Sequence, residues 1–211
     1  MKIVVFGASG RIGRAITEEA LTRRHYVTGV SRRANRMGLT HPRLTTLRGD
    51  AADPASVAVV AAGHDAAVVA VGPAPGGEDG VFAAVARAML VGLPMAIVKR
   101  VVILGGAGSL AVASGGRLVD TPEFPADWKR NALGQAAALD IYRLADLDWT
   151  YLSPAALLEP GERTGHYRIG GDQVLVDNQG NSRITIPDYA MALVDEVEQA
   201  AHVRQRITVA Y

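Results

Sequence analysis

Ile3, Val4, Val5 and Phe6 follow one another without a polar break. A strand that is apolar at every position is buried on both faces, as in a parallel sheet covered by helices on each side. Short runs rich in β-branched and apolar residues recur at Tyr26–Ser31, Leu44–Arg48, Ala66–Val71, Arg100–Leu104 and Trp149–Leu152. With Lys2–Phe6 they predict six strands. Between them, apolar positions at helical spacing predict helices near 11–24, 54–62, 79–92 and 126–146. Asp53 before Pro54 marks one helix start, a carboxylate cap followed by a proline whose missing N–H costs nothing there. After Pro154 the pattern changes to glycine, charge and short β runs at Gln173–Val176 and Arg183–Ile186. Asp188 to Ala200 reads as a last helix with Ala190, Leu193, Val194 and Val197 on one face, and Arg206–Ala210 as a closing strand.

Strand and helix in alternation predict an α/β, Rossmann-type doubly wound parallel sheet. Right-handed crossovers bring every strand's C-terminal end to one edge, where such sheets bind ligands. The 211 residues suit one domain, 1–211. Residues 155–186 are too few for a second domain and are expected to form a small substrate or lid region within the first. The cluster Gly72 to Gly77 reads as a loop.

Composition narrows the chemistry. There is no cysteine, which excludes disulfides, thiolate metal sites and thiol catalysis. A net charge of +1 argues for neither nucleic acid nor a membrane surface as partner. The longest apolar stretch, Val81 to Val98, is interrupted by Arg87, Gly92 and Pro94, which suits a buried helix rather than a membrane span. A cytoplasmic protein, monomeric or homodimeric, is expected. The five histidines, at 25, 41, 64, 166 and 202, have no metal-ligand spacing.

The turn after the first strand carries the clearest chemistry: Gly7, Ala8, Ser9, Gly10, Arg11, Ile12 and Gly13. Gly7 suits a sharp turn, Gly10 a close backbone approach to a pyrophosphate, and Gly13 close packing of helix on sheet. The N–H groups and positive dipole end of the following helix then face the phosphates. The spacing is G-x-x-G-x-x-G, so a dinucleotide is expected here. The second strand ends Ser31, Arg32, Arg33. An NAD-selective site presents a carboxylate to the ribose at this point; a hydroxyl and two guanidiniums suit a 2′-phosphate instead. NADP(H) is therefore expected in preference to NAD(H).

Five other segments carry candidate residues. Asp50 follows the third strand, where it suits either the adenine amino group or the cap of a turn. Ala70, Val71 and Gly72 end the fourth strand, where small residues suit either the nicotinamide ribose or a plain loop. Gly105 opens a run of small residues after the fifth strand that ends at Ser109, which suits either an open floor with one hydroxyl for nicotinamide or substrate, or plain loop flexibility. Tyr142 stands where a short-chain dehydrogenase carries Tyr-x-x-x-Lys, but Asp146 replaces the lysine. Without that cation nothing lowers the phenol's pKa, so Tyr142 reads as a helix residue. Arg163 suits either a substrate contact or a surface salt bridge.

Gly7–Gly13, Leu104–Leu110, Asp148–Ala155 and Pro160–Gly165 together resemble the NADH-flavin reductase branch of the atypical short-chain dehydrogenase/reductase superfamily, near the NmrA-like and biliverdin-IXβ/flavin reductase proteins. The resemblance runs over essentially the whole chain and implies an NAD(P)H-binding fold with a flavin or similar conjugated acceptor. That branch also lacks the tyrosine–lysine pair. Its name mentions NADH, whereas Ser31, Arg32 and Arg33 argue for NADPH. Hydride transfer to a flavin or quinone tolerates weak proton assistance, leaving orientation and electrostatics to the protein. In this reading Ser109 contacts nicotinamide or acceptor, Pro154 and Ala155 line the nicotinamide end, and Arg163 is a lid contact. Flavin is a substrate that leaves, since no second nucleotide motif holds it. A non-catalytic NADP(H)-sensing regulator of the NmrA-like type and a tailoring reductase or isomerase acting on a polyketide-like molecule remain alternatives.

Overall fold

The computed structural model describes residues 1–33, 37–73 and 80–211. Eight strands form one sheet. β1 (Lys2–Phe6) leads through α1 (Arg11–Thr22) to β2 (Tyr26–Ser31), then β3 (Leu44–Arg48), α2 (Pro54–Ala61) and β4 (Ala66–Val69). α3 (Val81–Met95), β5 (Arg100–Leu104), α4 (Ala126–Arg143) and β6 (Asp148–Pro154) follow. The C-terminal part adds β7 (Leu157–Glu159), β8 (Arg168–Gly170), β9 (Arg183–Thr185), α5 (Ile186–Gln199) and β10 (Gln205–Ala210). The spatial order is β3-β2-β1-β4-β5-β6-β10-β8, and β7 pairs with β9 in a second, two-stranded sheet. All pairings in the main sheet are parallel except β8 against β10. This is the expected doubly wound α/β architecture.

Burial explains the order. β1 and β4 sit centrally, and Val4, Val5, Phe6, Ala66 and Ala67 have no exposed surface. One face packs on α1 and α5, the other on α2, α3 and α4. Edge strand β3 is largely exposed. Because β1 and β4 are neighbours while the chain leaves β1 toward β2, the strand order reverses between them. That crevice is the topological switch point at which such sheets bind ligands.

The helix starts follow their caps. Asp53 accepts from the N–H groups of Ala55 and Ser56 at 3.1 and 3.2 Å, as its sequence predicts. α5 begins at Ile186, two residues before the expected Asp188, because Thr185 caps it by accepting from the Asp188 N–H. Pro187 is harmless there, since first-turn N–H groups have no helical partner. Two C-terminal expectations need correction. Gln173–Val176 is not a strand; Gln173 makes only an isolated bridge to Ala111. Strands β7 and β8, three residues each, go unforeseen because so short a run has no readable alternation. Of the expected Gly72–Gly77 loop, residues 74–77 lie outside the described residues. No helix among the described residues is long and apolar enough to cross a membrane.

Candidate functional site

A cleft of about 650 Å³ opens at the switch point. Its floor is the turn after β1: Gly7, Ser9 and Gly10 line it. The three glycines of that turn do different things. Gly7 has φ +83°, and a Cβ there would lie 2.4 Å from the Ala70 carbonyl oxygen. A Cβ on Gly13 would lie 2.2 Å from the Gly7 carbonyl oxygen. Both are demanded by the fold. Gly10 has φ −76°, open to any L-residue, and a Cβ there would meet only the Gly7 carbonyl oxygen, at 3.3 Å. The fold alone therefore has little need of glycine at position 10.

Gly10 is also the N-cap of α1 and offers no side chain to its free N–H groups. Whereas Asp53 and Thr185 cap α2 and α5, α1 opens uncapped into the cleft, with no acidic residue in its first turn. The N-terminus of α3, at Gly80 and Val81, also lines the cleft and among the described residues is likewise without a side-chain cap. Two positive helix ends thus converge on one space, an arrangement suited to phosphate. Ala8, by contrast, is fully buried in the core, Arg11 is exposed on the first turn of α1, and Ile12 packs partly against the core beneath.

The far wall comes from β2 and β3. Ser31 and Arg32 line the cleft, as do Gly49 and Asp50. The Ser31 hydroxyl is buried and has no hydrogen-bond partner among the described residues. A buried, unpaired hydroxyl costs stability unless something bound completes it. Arg33 is exposed and does not line the cleft. Asp50 borders the cleft, and its Oδ1 accepts from the Ala52 N–H at 2.9 Å, shaping the turn before α2. Ala70, Val71 and Gly72 form the third wall.

The remaining expected residues lie outside this cleft. The glycines after β5 leave no open floor. A Cβ on Gly105 would strike the Tyr151 ring at 2.3 Å, one on Gly106 the Gln135 Oε1 at 2.0 Å, and one on Gly108 the Ala132 Cβ at 2.6 Å. The run is small because it is pressed onto β6 and α4. Pro154 and Ala155 are buried at the end of β6. Ser109, half-buried, accepts a hydrogen bond from Arg206 Nη1 at 2.9 Å. Arg206 in turn binds Asp172. Arg206 and Asp172 escape sequence reasoning, since Ser109 and Arg206 are 97 positions apart and nothing local links them.

Arg163 is placed away from the cleft. It grips Glu19 through Nε and Nη2, at 3.0 and 2.9 Å. Glu19 stands two turns along α1 from the glycine turn, roughly 12 Å at 1.5 Å per residue. Burial pushes the Glu19 carboxyl's pKa up, but bonds from Arg163 and Arg23 outweigh it and hold the pKa below the usual value. Tyr142 is a helix residue, as read from the sequence. Its buried hydroxyl has no partner among the described residues, and burial pushes its pKa far above the ordinary range. Asp146 is exposed and paired with Arg204.

The similarities of the chain agree with this geometry. A protein of Bacillus subtilis, YwnB, described as uncharacterized, is 39% identical over 213 residues, covering 99% of this chain and 98% of that one. A crystal structure from Burkholderia pseudomallei, named "putative exported protein", is 46% identical with a TM-score of 0.89, covering 100% of both chains. Another from Streptococcus pneumoniae, named "putative NADH-flavin reductase", is 33% identical with a TM-score of 0.86, covering 100% of this chain and 99% of that one. Residues 7–197 match the profile of a family described as NAD(P)H-binding. The glycine turn, the strand-edge cleft and this match over most of the chain agree: the protein belongs to the NAD(P)H-binding family.

Proposed function

We propose that this protein is an NADPH-dependent reductase that passes hydride to a flavin or similar conjugated acceptor, such as a quinone. The observation that carries the cofactor half is the pairing of Gly10, a glycine the fold scarcely needs, with the Ser31 hydroxyl, buried and unpaired among the described residues, across one cleft. Together they fit a dinucleotide: pyrophosphate against the open ends of α1 and α3, and a 2′-phosphate between Ser31 and Arg32. When bound, NADPH supplies the hydride. The chain's own residues orient it, with Ala70–Gly72 permitting close approach of the ribose. β5 lies beside β4 in the sheet, so the next loop along the edge from Gly72 is Gly105–Ser109. Ser109 is the hydroxyl nearest in that order to the reacting end, and it offers a hydrogen bond to the acceptor.

The acceptor half draws on the similarity to the streptococcal protein and on the lack of a tyrosine–lysine acid. An acceptor that delocalises charge needs little proton assistance. Flavin is then a substrate that exchanges freely. The deciding experiment measures NADPH consumption by the purified protein with FMN, riboflavin, a quinone or no acceptor. Turnover with a conjugated acceptor supports the reading. Clear NADPH binding without turnover on any acceptor replaces it with a sensor of NADP(H).

Two variants refine the assignment. Charge-assisted hydrogen bonds contribute about 1.5–3 kcal/mol each, so Arg32→Ala is expected to weaken NADPH at least about tenfold and leave NADH nearly unchanged. Arg33→Ala, outside the cleft, adds less. Equal NADPH and NADH affinities in the parent overturn this. Ser109→Ala is expected to lower turnover about ten- to a hundredfold, with NADPH affinity within about twofold, as for one lost hydrogen bond near the reacting atoms. Parental turnover in that variant removes Ser109 from the mechanism.

A further inference from the structure

The geometry around Ser109 points to Arg206 as its positioning residue, an arginine that fixes the direction of the Ser109 proton and takes the electrostatic place of the missing lysine. This inference rests on the acceptor-contacting role proposed for Ser109. A serine hydroxyl has one proton to donate and two lone pairs that accept. Arg206 Nη1 donates into Ser109 Oγ at 2.9 Å. A guanidinium accepts nothing, so the Ser109 proton is left to point elsewhere. It is free for an acceptor oxygen.

The arginine is itself clamped. Its Nε donates to Asp172 Oδ1, and its Nη2 to the Asp172 carbonyl oxygen at 3.3 Å. The clamp closes on the Ser109 loop, because the Ala111 N–H donates to that same Asp172 carbonyl at 2.8 Å and the Val174 N–H donates to the Ala111 carbonyl at 2.9 Å. Ser109, Arg206 and Asp172 thus form a ring stitched by both side chains and backbone. Ser153 and Thr208, paired across β6 and β10, are buried hydroxyls without a partner among the described residues, so neither draws Arg206 from Ser109.

The charges are unequally placed. The Arg206 side chain is 6% exposed and that of Asp172 66% exposed. Water screens the carboxylate more than the guanidinium, so the positive charge predominates toward Ser109. A permanent cation against Oγ strengthens the hydroxyl as a donor to an acceptor gaining negative charge. Asp172 lies within the 155–186 segment, so that segment governs the hydroxyl through Arg206.

The test compares Arg206→Met, Arg206→Lys, Asp172→Asn and Ser109→Ala for kcat with the best acceptor and for NADPH affinity, together with a crystal structure of Arg206→Met or, failing that, of Asp172→Asn. Arg206→Met is expected to lower kcat at least tenfold with NADPH affinity within twofold. Arg206→Lys is expected to recover part of the loss, and Asp172→Asn to lower kcat severalfold. The Ser109→Ala/Arg206→Met double variant should be no slower than the slower single variant. Parental kcat in Arg206→Met, or losses that multiply in the double variant, overturns the inference. Asp172→Asn serves for structure and kinetics if Arg206→Met does not fold. In the crystal structure, Ser109 Oγ is expected to leave its parental position; an unmoved Oγ overturns positioning. That readout decides the matter even if the parent turns over no acceptor, the result that overturns the proposed function instead.

Discussion

Gly10→Val is expected to abolish NADPH binding in a protein that remains folded. The backbone at position 10, φ −76° and ψ 160°, is extended and accommodates a β-branched residue. The single close approach of a Cβ there, 3.3 Å to the Gly7 carbonyl oxygen, is relieved by a few tenths of an ångström. The added methyls instead enter the cleft at the uncapped end of α1, where a pyrophosphate would lie. A loss of about a hundredfold or more in affinity, about 3 kcal/mol, is expected. Circular dichroism and NADPH titration on one sample check it. A folded variant that titrates like the parent would falsify the phosphate assignment. Gly13→Ala makes the contrast. Its Cβ would sit 2.2 Å from backbone oxygen, so it is expected to lose stability, by about 1–3 kcal/mol or more, as overpacked cores do.

The second large effect is on stability. Asp188, at the start of α5, is fully buried. Its Oδ2 accepts from the Thr164 hydroxyl at 2.6 Å, the Thr164 N–H at 3.2 Å and the Tyr211 hydroxyl at 2.6 Å, and its Oδ1 from the Gly165 N–H at 3.0 Å. One carboxylate thereby joins α5, the 164–165 segment and the residue after β10. Asp188→Asn keeps the shape but sets an amide N–H₂ among donors. Losing charged hydrogen bonds and stranding buried donors costs on the order of 3 kcal/mol. For a chain of this length that lowers Tm by about 6–12 °C.

The effect depends on pH. Burial pushes the Asp188 pKa up, but the bonds from Thr164, Tyr211 and Gly165 outweigh it and hold the pKa below the ordinary carboxylate value. A group with a lowered folded-state pKa stabilises fully above its unfolded value, about 3.9, and that contribution disappears as pH falls through the folded value. The difference in Tm between parent and Asp188→Asn is therefore expected to be widest at neutral pH and to close on acidification below about pH 4. A difference that stays constant down to pH 2 would show that the carboxylate's charge is not what matters.

The sequence by itself determined the elements whose cause is local. β1, β2, β3 and β5 lie at the predicted bounds because each is a short apolar or β-branched run between turn residues. β6 runs longer than Trp149–Leu152, from Asp148 to Pro154, because pairing with β5 and β10 supports its flanks. The wall residues of the cleft were equally legible. Gly7, Gly10, Ser31, Arg32, Asp50 and Ala70–Gly72 all stand within a few positions of a strand's C-terminal end, so strand prediction and parallel topology suffice to gather them.

Whatever depends on which distant side chain arrives was decided by the tertiary structure alone. Arg163 lies against Glu19, 144 positions away, because a nearly buried carboxylate on α1 holds two guanidiniums around it. Gly105, Gly106 and Gly108 read alone as open space but are filled by Tyr151, Gln135 and Ala132. Ser109 was visible as a hydroxyl at a strand end, while its orientation belongs to Arg206 and Asp172, brought beside it by β10 and the 155–186 segment. Local pattern fixes the path of the backbone, because hydrogen bonding and burial repeat with the residue period. Side-chain partners come from closures between positions far apart in the chain, which only the packed fold selects.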